Sequence, residues 1–114
     1  MSVSDLVQLC RLDEVPEGEG RTIDLDGTAY AVFNLEGEFF VLQDQCTHGP
    51  GSLGEGIVDD GEVECDFHNG RFKIATGEPT APPCVAPVAM WEVTLRDGGV
   101  WIDPKAALVS GIDF

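Results

Sequence analysis

The stretch TAYAVFNLEGEFFVLQ at 28–43 constrains the fold most: two runs rich in β-branched and aromatic residues are separated by Glu36-Gly37. Such runs favour extended backbone, and a two-residue connection ending in glycine supplies the positive φ that turns one strand back on the next. The stretch therefore predicts a β-hairpin. A second unit, WEVTLRDGGVWI at 91–102, turns at Asp97-Gly98-Gly99 in the same way. VQL near the start and MWEVTL at 90–95 are further strand-like runs, and no segment keeps a 3.6-residue period for three turns. The expectation is an all-β fold in antiparallel sheets, with at most one or two short helical turns.

A length of 114 residues suits one domain with a modest core and leaves no room for a second, substrate-binding domain. The start, MSVSDLVQLCRLDEVPEG, has no basic segment followed by an apolar one, and the longest apolar run, VAPVAMW, is far below the ~20 residues of a membrane span. A cytoplasmic address with no membrane partner is expected. With 21 acidic against 6 basic residues, the net charge of -15 argues against nucleic acid and anionic membrane, because phosphate binding relies on Lys and Arg. Such acidity either steers the chain toward a basic-faced partner or only keeps it in solution.

From about 44 to 84 the texture changes: glycines and prolines gather around strand-like pieces such as GEVEC and RFKI. This reads as an excursion that builds a site, within a single domain spanning 1–114 whose base comprises about 1–43 and 85–114. Cysteines stand at 10, 46, 65 and 84, too sparse for a secreted disulfide scaffold, which with a cytosolic address points to metal or redox use rather than bridges. Both histidines of the chain fall beside cysteines, in Cys46-x-His48 and, sixteen residues later, Cys65-x-x-His68. A lone histidine is usually an ordinary surface or core residue, but two such coincidences in Gly-flanked loops make accident improbable.

Two thiolates and two imidazoles from two loops point to a metal centre. Structural zinc sites of this composition usually group cysteines together and histidines together, whereas here the order is interleaved. A mononuclear copper site would leave one cysteine surplus. A two-iron cluster, with each loop giving one ligand to each iron, suits the interleaving; zinc stays open as the weaker fit.

The spacing C-x-H, sixteen residues, C-x-x-H resembles the signature of Rieske [2Fe-2S] proteins. The likeness extends to the strand-turn texture before it, to Gly70 and Phe72 after it, and to Ala81-Pro82-Pro83. The resemblance implies one [2Fe-2S] cluster, with Cys46 and Cys65 on the inner iron and His48 and His68 on the outer one. It also implies a base of antiparallel sheets carrying a cluster-binding subdomain of two loops. High-potential members carry two extra cysteines where this chain has Gly51 and Phe67, and a serine and a tyrosine where it has Gly70 and Phe72. Lacking those hydroxyl donors to sulfur, the cluster is expected at the low end of the Rieske range of ~ -150 to +300 mV.

These departures make the chain similar to the Rieske-type ferredoxins of bacterial aromatic-ring-hydroxylating dioxygenase systems. The implied function is one-electron transport from a flavin-containing, NAD(P)H-dependent ferredoxin reductase to a terminal oxygenase, with no small-molecule substrate and no catalysis by this chain. An oxygenase would need a further iron site of two histidines and a carboxylate, and both histidines are already assigned. Rival readings are a Rieske small subunit of an assimilatory nitrite reductase, a Rieske redox sensor and a zinc-stabilised interaction module.

Of the remaining residues, Gly49, Pro50 and Gly51 read as a turn that lets backbone N–H groups approach the cluster, and TAPPCVAP at 80–87 resembles the proline loop that covers it. Cys10 and Cys84 read as small buried apolar residues, and Trp91, Trp101, Phe39, Phe40 and Tyr30 as core or sheet-face residues. Asp66, Phe67 and Asn69, with Gly49 and Pro50, are candidates for a docking tip. The tail after Asp103 reads as a surface extension.

Overall fold

The structure, a computed structural model, describes residues 6–45, 51–65, 70–81 and 86–109. Its strands are β1 Val7–Arg11, β2 Glu19–Leu25, β3 Thr28–Leu35, β4 Glu38–Gln43, β5 Ile57–Asp59, β6 Glu62–Glu64, β7 Arg71–Lys73, β8 Pro79–Ala81, β9 Ala89–Trp91, β10 Thr94–Arg96, β11 Gly99–Ile102 and β12 Leu108–Val109. The helical segments among the described residues are single 3-10 turns at Leu12–Glu14 and Leu53–Glu55. An all-β fold with short helical turns is thus what forms.

The strands make three antiparallel sheets, ordered β1-β11-β10, β12-β9-β4-β3-β2 and β5-β6-β7-β8. The hairpin of β3 and β4 is the organising element, with Val32 opposite Val41 and Phe33 opposite Phe40. At its turn Glu36 has φ 56° and Gly37 φ 91°, the mirror-image conformation whose twist matches that of the strands. Asn34 secures the turn by accepting from the Gly37 N–H at 2.9 Å and donating its own amide to the Val15 carbonyl at 2.9 Å.

Tyr30, Ala31, Val32 and Phe33 are all buried because β3 is central and covered on both faces. Alternation along a strand sends successive side chains to opposite sides. Ala31, Phe33 and Leu42 enter one core with Leu53, Val63, Cys65, Phe72, Ile74 and Val88. Tyr30, Val32 and Val41 enter the other with Leu9, Cys10, Val15, Trp91, Val100 and Ile102. The five-stranded sheet is therefore a wall between the three-stranded sheet and the four-stranded sheet that leads to the Cys/His loops.

The run MWEVTL is not one strand. It breaks at Glu92-Val93, so that β9 pairs with β4 while β10 pairs with β11 in a different sheet. Trp91 anchors the first half: its ring stands edge-on to Tyr30 at 4.9 Å between centroids, and its indole N–H donates to the Pro104 carbonyl at 3.2 Å. The tail is not wholly a surface extension either, since β12 pairs with β9. Trp101 is half-buried, with the Arg96 guanidinium 4.6 Å from its ring centroid, and Cys10 is buried as expected. Among the described residues no helix is long and apolar enough to cross a membrane.

Candidate metal centre

The two Cys/His stretches rise from stems that share one buried apolar cluster. The first stem leaves β4 through Asp44 and Gln45 and returns through Gly51 and Ser52 into the Leu53–Glu55 turn. Gln45 and Ser52 form an isolated antiparallel bridge, and the Leu53 N–H donates to the Asp44 carbonyl at 2.7 Å. Leu53 then anchors the stem, fully buried.

The second stem is the hairpin of β6 and β7. The Cys65 N–H donates to the Gly70 carbonyl at 2.7 Å, closing the hairpin at the foot of 66–69. Val63 and Phe72 face each other two pairs below and both enter the core. On the outer side Arg71 reaches Glu62 at 2.8 Å, Glu64 at 3.3 Å and Asp59 at 3.8 Å, and the hydrogen bond to Glu62 is the main cause that raises its guanidinium pKa. Such partly exposed pairs contribute little each, but three carboxylates on one planar cation fix its direction.

A third stem carries β8 toward the proline stretch. Gly77 has φ 80°, and a Cβ there would stand 2.6 Å from the Val88 carbonyl oxygen, which accepts no such neighbour. The Val88 N–H donates to the Gly77 carbonyl at 2.9 Å, so the returning chain is tied to the outgoing one.

Of the four candidate ligands the structure describes Cys65. Cys46, His48 and His68 lie outside the described residues, as do Gly49, Pro50, Asp66, Phe67, Asn69, Pro82, Pro83 and Cys84. Among the described residues no three of His, Cys, Asp and Glu converge on a metal position. Cys65 is 1% exposed, in the cluster that holds Leu53, Val63 and Phe72. A soft sulfur withdrawn from water behind apolar side chains fits a thiophilic metal centre, because water is excluded from the metal–sulfur bond and the low dielectric favours pairing the thiolate with a cation. Phe72, fully buried there, brings no hydroxyl.

Sequence reasoning missed the polar group at the base of the first stem. Asp44, 6% exposed, accepts from Thr22 Oγ1 at 2.9 Å, from Ser52 Oγ at 2.8 Å and from the Gly54 N–H at 2.8 Å. Its signal was available: a carboxylate ending the apolar run FFVLQ, two residues before a candidate ligand.

The profile of the Rieske [2Fe-2S] domain matches residues 5–92. The chain is 45% identical over 108 residues to the ferredoxin component of the p-cumate 2,3-dioxygenase system of Pseudomonas putida, covering 93% of this chain and 92% of that one. Among solved structures, the Sphingomonas yanoikuyae B1 ferredoxin superposes with a TM-score of 0.81 at 42% identity, over 85% of this chain and 96% of that one. A chain from the complex of reduced oxygenase and oxidized ferredoxin in carbazole 1,9a-dioxygenase superposes with a TM-score of 0.80 at 33% identity, over 86% of this chain and 92% of that one.

Proposed function

Because this chain belongs to the Rieske [2Fe-2S] domain family, we propose that it is the ferredoxin of a ring-hydroxylating dioxygenase system, carrying single electrons from a flavin-containing, NAD(P)H-dependent reductase to a terminal oxygenase. In this reading Cys46 and Cys65 hold one iron and His48 and His68 the other. When bound, the cluster supplies a centre that takes up and releases one electron at a time.

The chain's own residues then do the rest. Phe72, Leu53 and Val63 keep water from the Cys65 sulfur, and hydrogen bonds tie the outgoing and returning stems of each loop together. With no hydroxyl on Phe72 to donate to sulfur, the reduced form loses one stabilising bond, which supports a potential at the low end of the Rieske range. With both histidines of the chain in the ligand set, none remains for an oxygen-activating iron site, so this chain turns over no substrate. The base at about 1–43 and 85–114 and the excursion at about 44–84 form one domain; that the sheet β5-β6-β7-β8 falls wholly within the excursion supports this division. A cytoplasmic setting, where NAD(P)H is available, completes the reading.

The observation that carries it is Cys65, buried at the foot of a hairpin loop in the same core as Leu53, the residue that anchors the other loop's return. The test is iron, sulfide and zinc analysis of anaerobically purified protein, with absorption and EPR spectra before and after dithionite. About two irons per chain and a rhombic signal appearing on reduction are expected. A colourless protein carrying zinc would leave the interaction module as the reading. Reduction by NADH through a purified flavin reductase, followed by reoxidation by an oxygenase, tests the partners.

A further inference from the structure

We propose that Asp44 is a positioning residue for the redox centre: its carboxylate locks both stems of the first ligand loop to β2 and thereby fixes the two ends from which 46–50 starts and returns. The inference rests on the ligand roles given above to Cys46 and His48.

Asp44 leaves the end of β4 and is almost fully buried. A carboxylate removed from water is unfavourable unless its oxygens are satisfied, and here no Lys or Arg pairs with it among the ion pairs of the described residues. Its partners are instead neutral donors drawn from three places in the chain. Thr22 Oγ1 on β2 donates at 2.9 Å, Ser52 Oγ on the returning stem at 2.8 Å, and the Gly54 N–H in the following turn at 2.8 Å. The Asp44 carbonyl accepts from the Leu53 N–H at 2.7 Å, so side chain and backbone act on the same return segment. Thr22 Oγ1 and Ser52 Oγ are themselves 3.1 Å apart, which closes the group.

The spacing of this clamp is fixed from the other side. A Cβ on Gly54 would collide with Thr22 Oγ1 and lie 2.7 Å from the Thr22 backbone nitrogen, so only glycine lets the turn seat against β2. The second ligand loop has a different foot: a backbone bond from the Cys65 N–H to the Gly70 carbonyl, with the Arg71 ion pairs on its outer face. A neutral or apolar residue at 44 would avoid burying a charge. A carboxylate gains two oxygens able to gather three donors at one point, which is what holding two stems and a neighbouring strand together requires.

The experiment compares wild-type protein with Asp44→Ala, Asp44→Asn and Thr22→Val, measuring iron and sulfide content, the EPR spectrum after dithionite, the midpoint potential and thermal unfolding. Asp44→Ala and Thr22→Val are expected to shift the g values and the potential, and to weaken iron retention against a chelator by on the order of tenfold. Asp44→Asn keeps an acceptor oxygen for the Gly54 N–H and Thr22, so it is expected to restore the line shape toward wild type. Variants that melt at lower temperature but keep the wild-type EPR spectrum and potential would reduce Asp44 to a prop for the fold and overturn the proposal. Should Asp44→Ala not fold, Thr22→Val decides by the same criteria, since it removes one hydroxyl from a half-buried strand position. A wild-type protein without iron would overturn the ligand assignment itself, a result separable from an iron-loaded protein indifferent to the substitutions.

Discussion

Cys10 and Cys65 are both buried cysteines, but they stand in different cores and at different distances from the Cys/His stretches. Cys10 lies in the core beneath the three-stranded sheet, where burial, with Glu14 adding to it, pushes its thiol up from 9.0 to about 11. A thiol that holds its proton longer in the folded state contributes stability that is complete below its unfolded pKa and is lost as pH rises toward the folded one. Unfolding free energy from urea titrations is therefore expected to fall between pH 9 and about 11, and Cys10→Ala to flatten that limb from a lower starting stability. Tyr30, raised by burial and by Asp26, acts in the same direction and accounts for slope that remains. Cys65 closes instead the foot of 66–69, where the proposed function makes it a ligand. Cys65→Ser exchanges a soft donor for a hard one and should leave well under half the wild-type iron by metal analysis, with the β-sheet signal in circular dichroism retained; full iron content in that variant would remove Cys65 from the ligand set. The spacing of Cys and His is legible at this scale because it is local. Asp44 shows only its place at the end of an apolar run; its partners Thr22, Ser52 and Gly54 are brought to it by strand pairing that no short stretch of sequence displays.

At the scale of elements, four turns share one design: Asp26-Gly27, Glu36-Gly37, Asp60-Gly61 and Asp97-Gly98 each place both residues at positive φ. Asn and Asp tolerate this region better than Glu, whose longer side chain gains no local hydrogen bond there. Glu36→Asn is expected to raise stability by about 0.5 kcal/mol in urea denaturation, and Gly37→Ala, at φ 91° with nothing near its Cβ, to lower it by about 1 kcal/mol through backbone strain alone. The hairpins at 36–37 and 97–98 were legible because apolar runs flank them, and β4 has the bounds its run suggests. The strands β2 and β5 were not, because EGRTIDL faces water along much of its length with few apolar residues, and IVD is too short a run to mark a strand. The break at Glu92-Val93 escaped notice for a different reason: either half of MWEVTL is a good strand, and only the position of the two sheets decides where the chain crosses between them.

For the whole molecule the governing quantity is charge. Six basic residues stand against 21 acidic ones, and outside the Arg71 group the ion pairs among the described residues are local, such as Arg11 with Asp13 and Arg21 with Glu19, both well exposed. Pairs of that kind are worth little, so the folded chain carries net self-repulsion that compactness makes worse. Added salt shortens the screening length from about 10 Å at 0.1 M to about 3 Å at 1 M and relieves it. The thermal midpoint is therefore expected to rise by a few degrees as NaCl goes from about 0.02 to about 0.5 M, while the bimolecular rate of electron transfer with the proposed reductase falls over the same range where that partner presents a basic face, since one field would then both strain the fold and steer the encounter. Melting curves and stopped-flow reduction over one salt series separate the two effects. A rate that ignores salt while the midpoint climbs would assign the acidity to solubility alone; a rate that falls as the midpoint climbs would mean that the charge which weakens the fold serves the delivery of electrons.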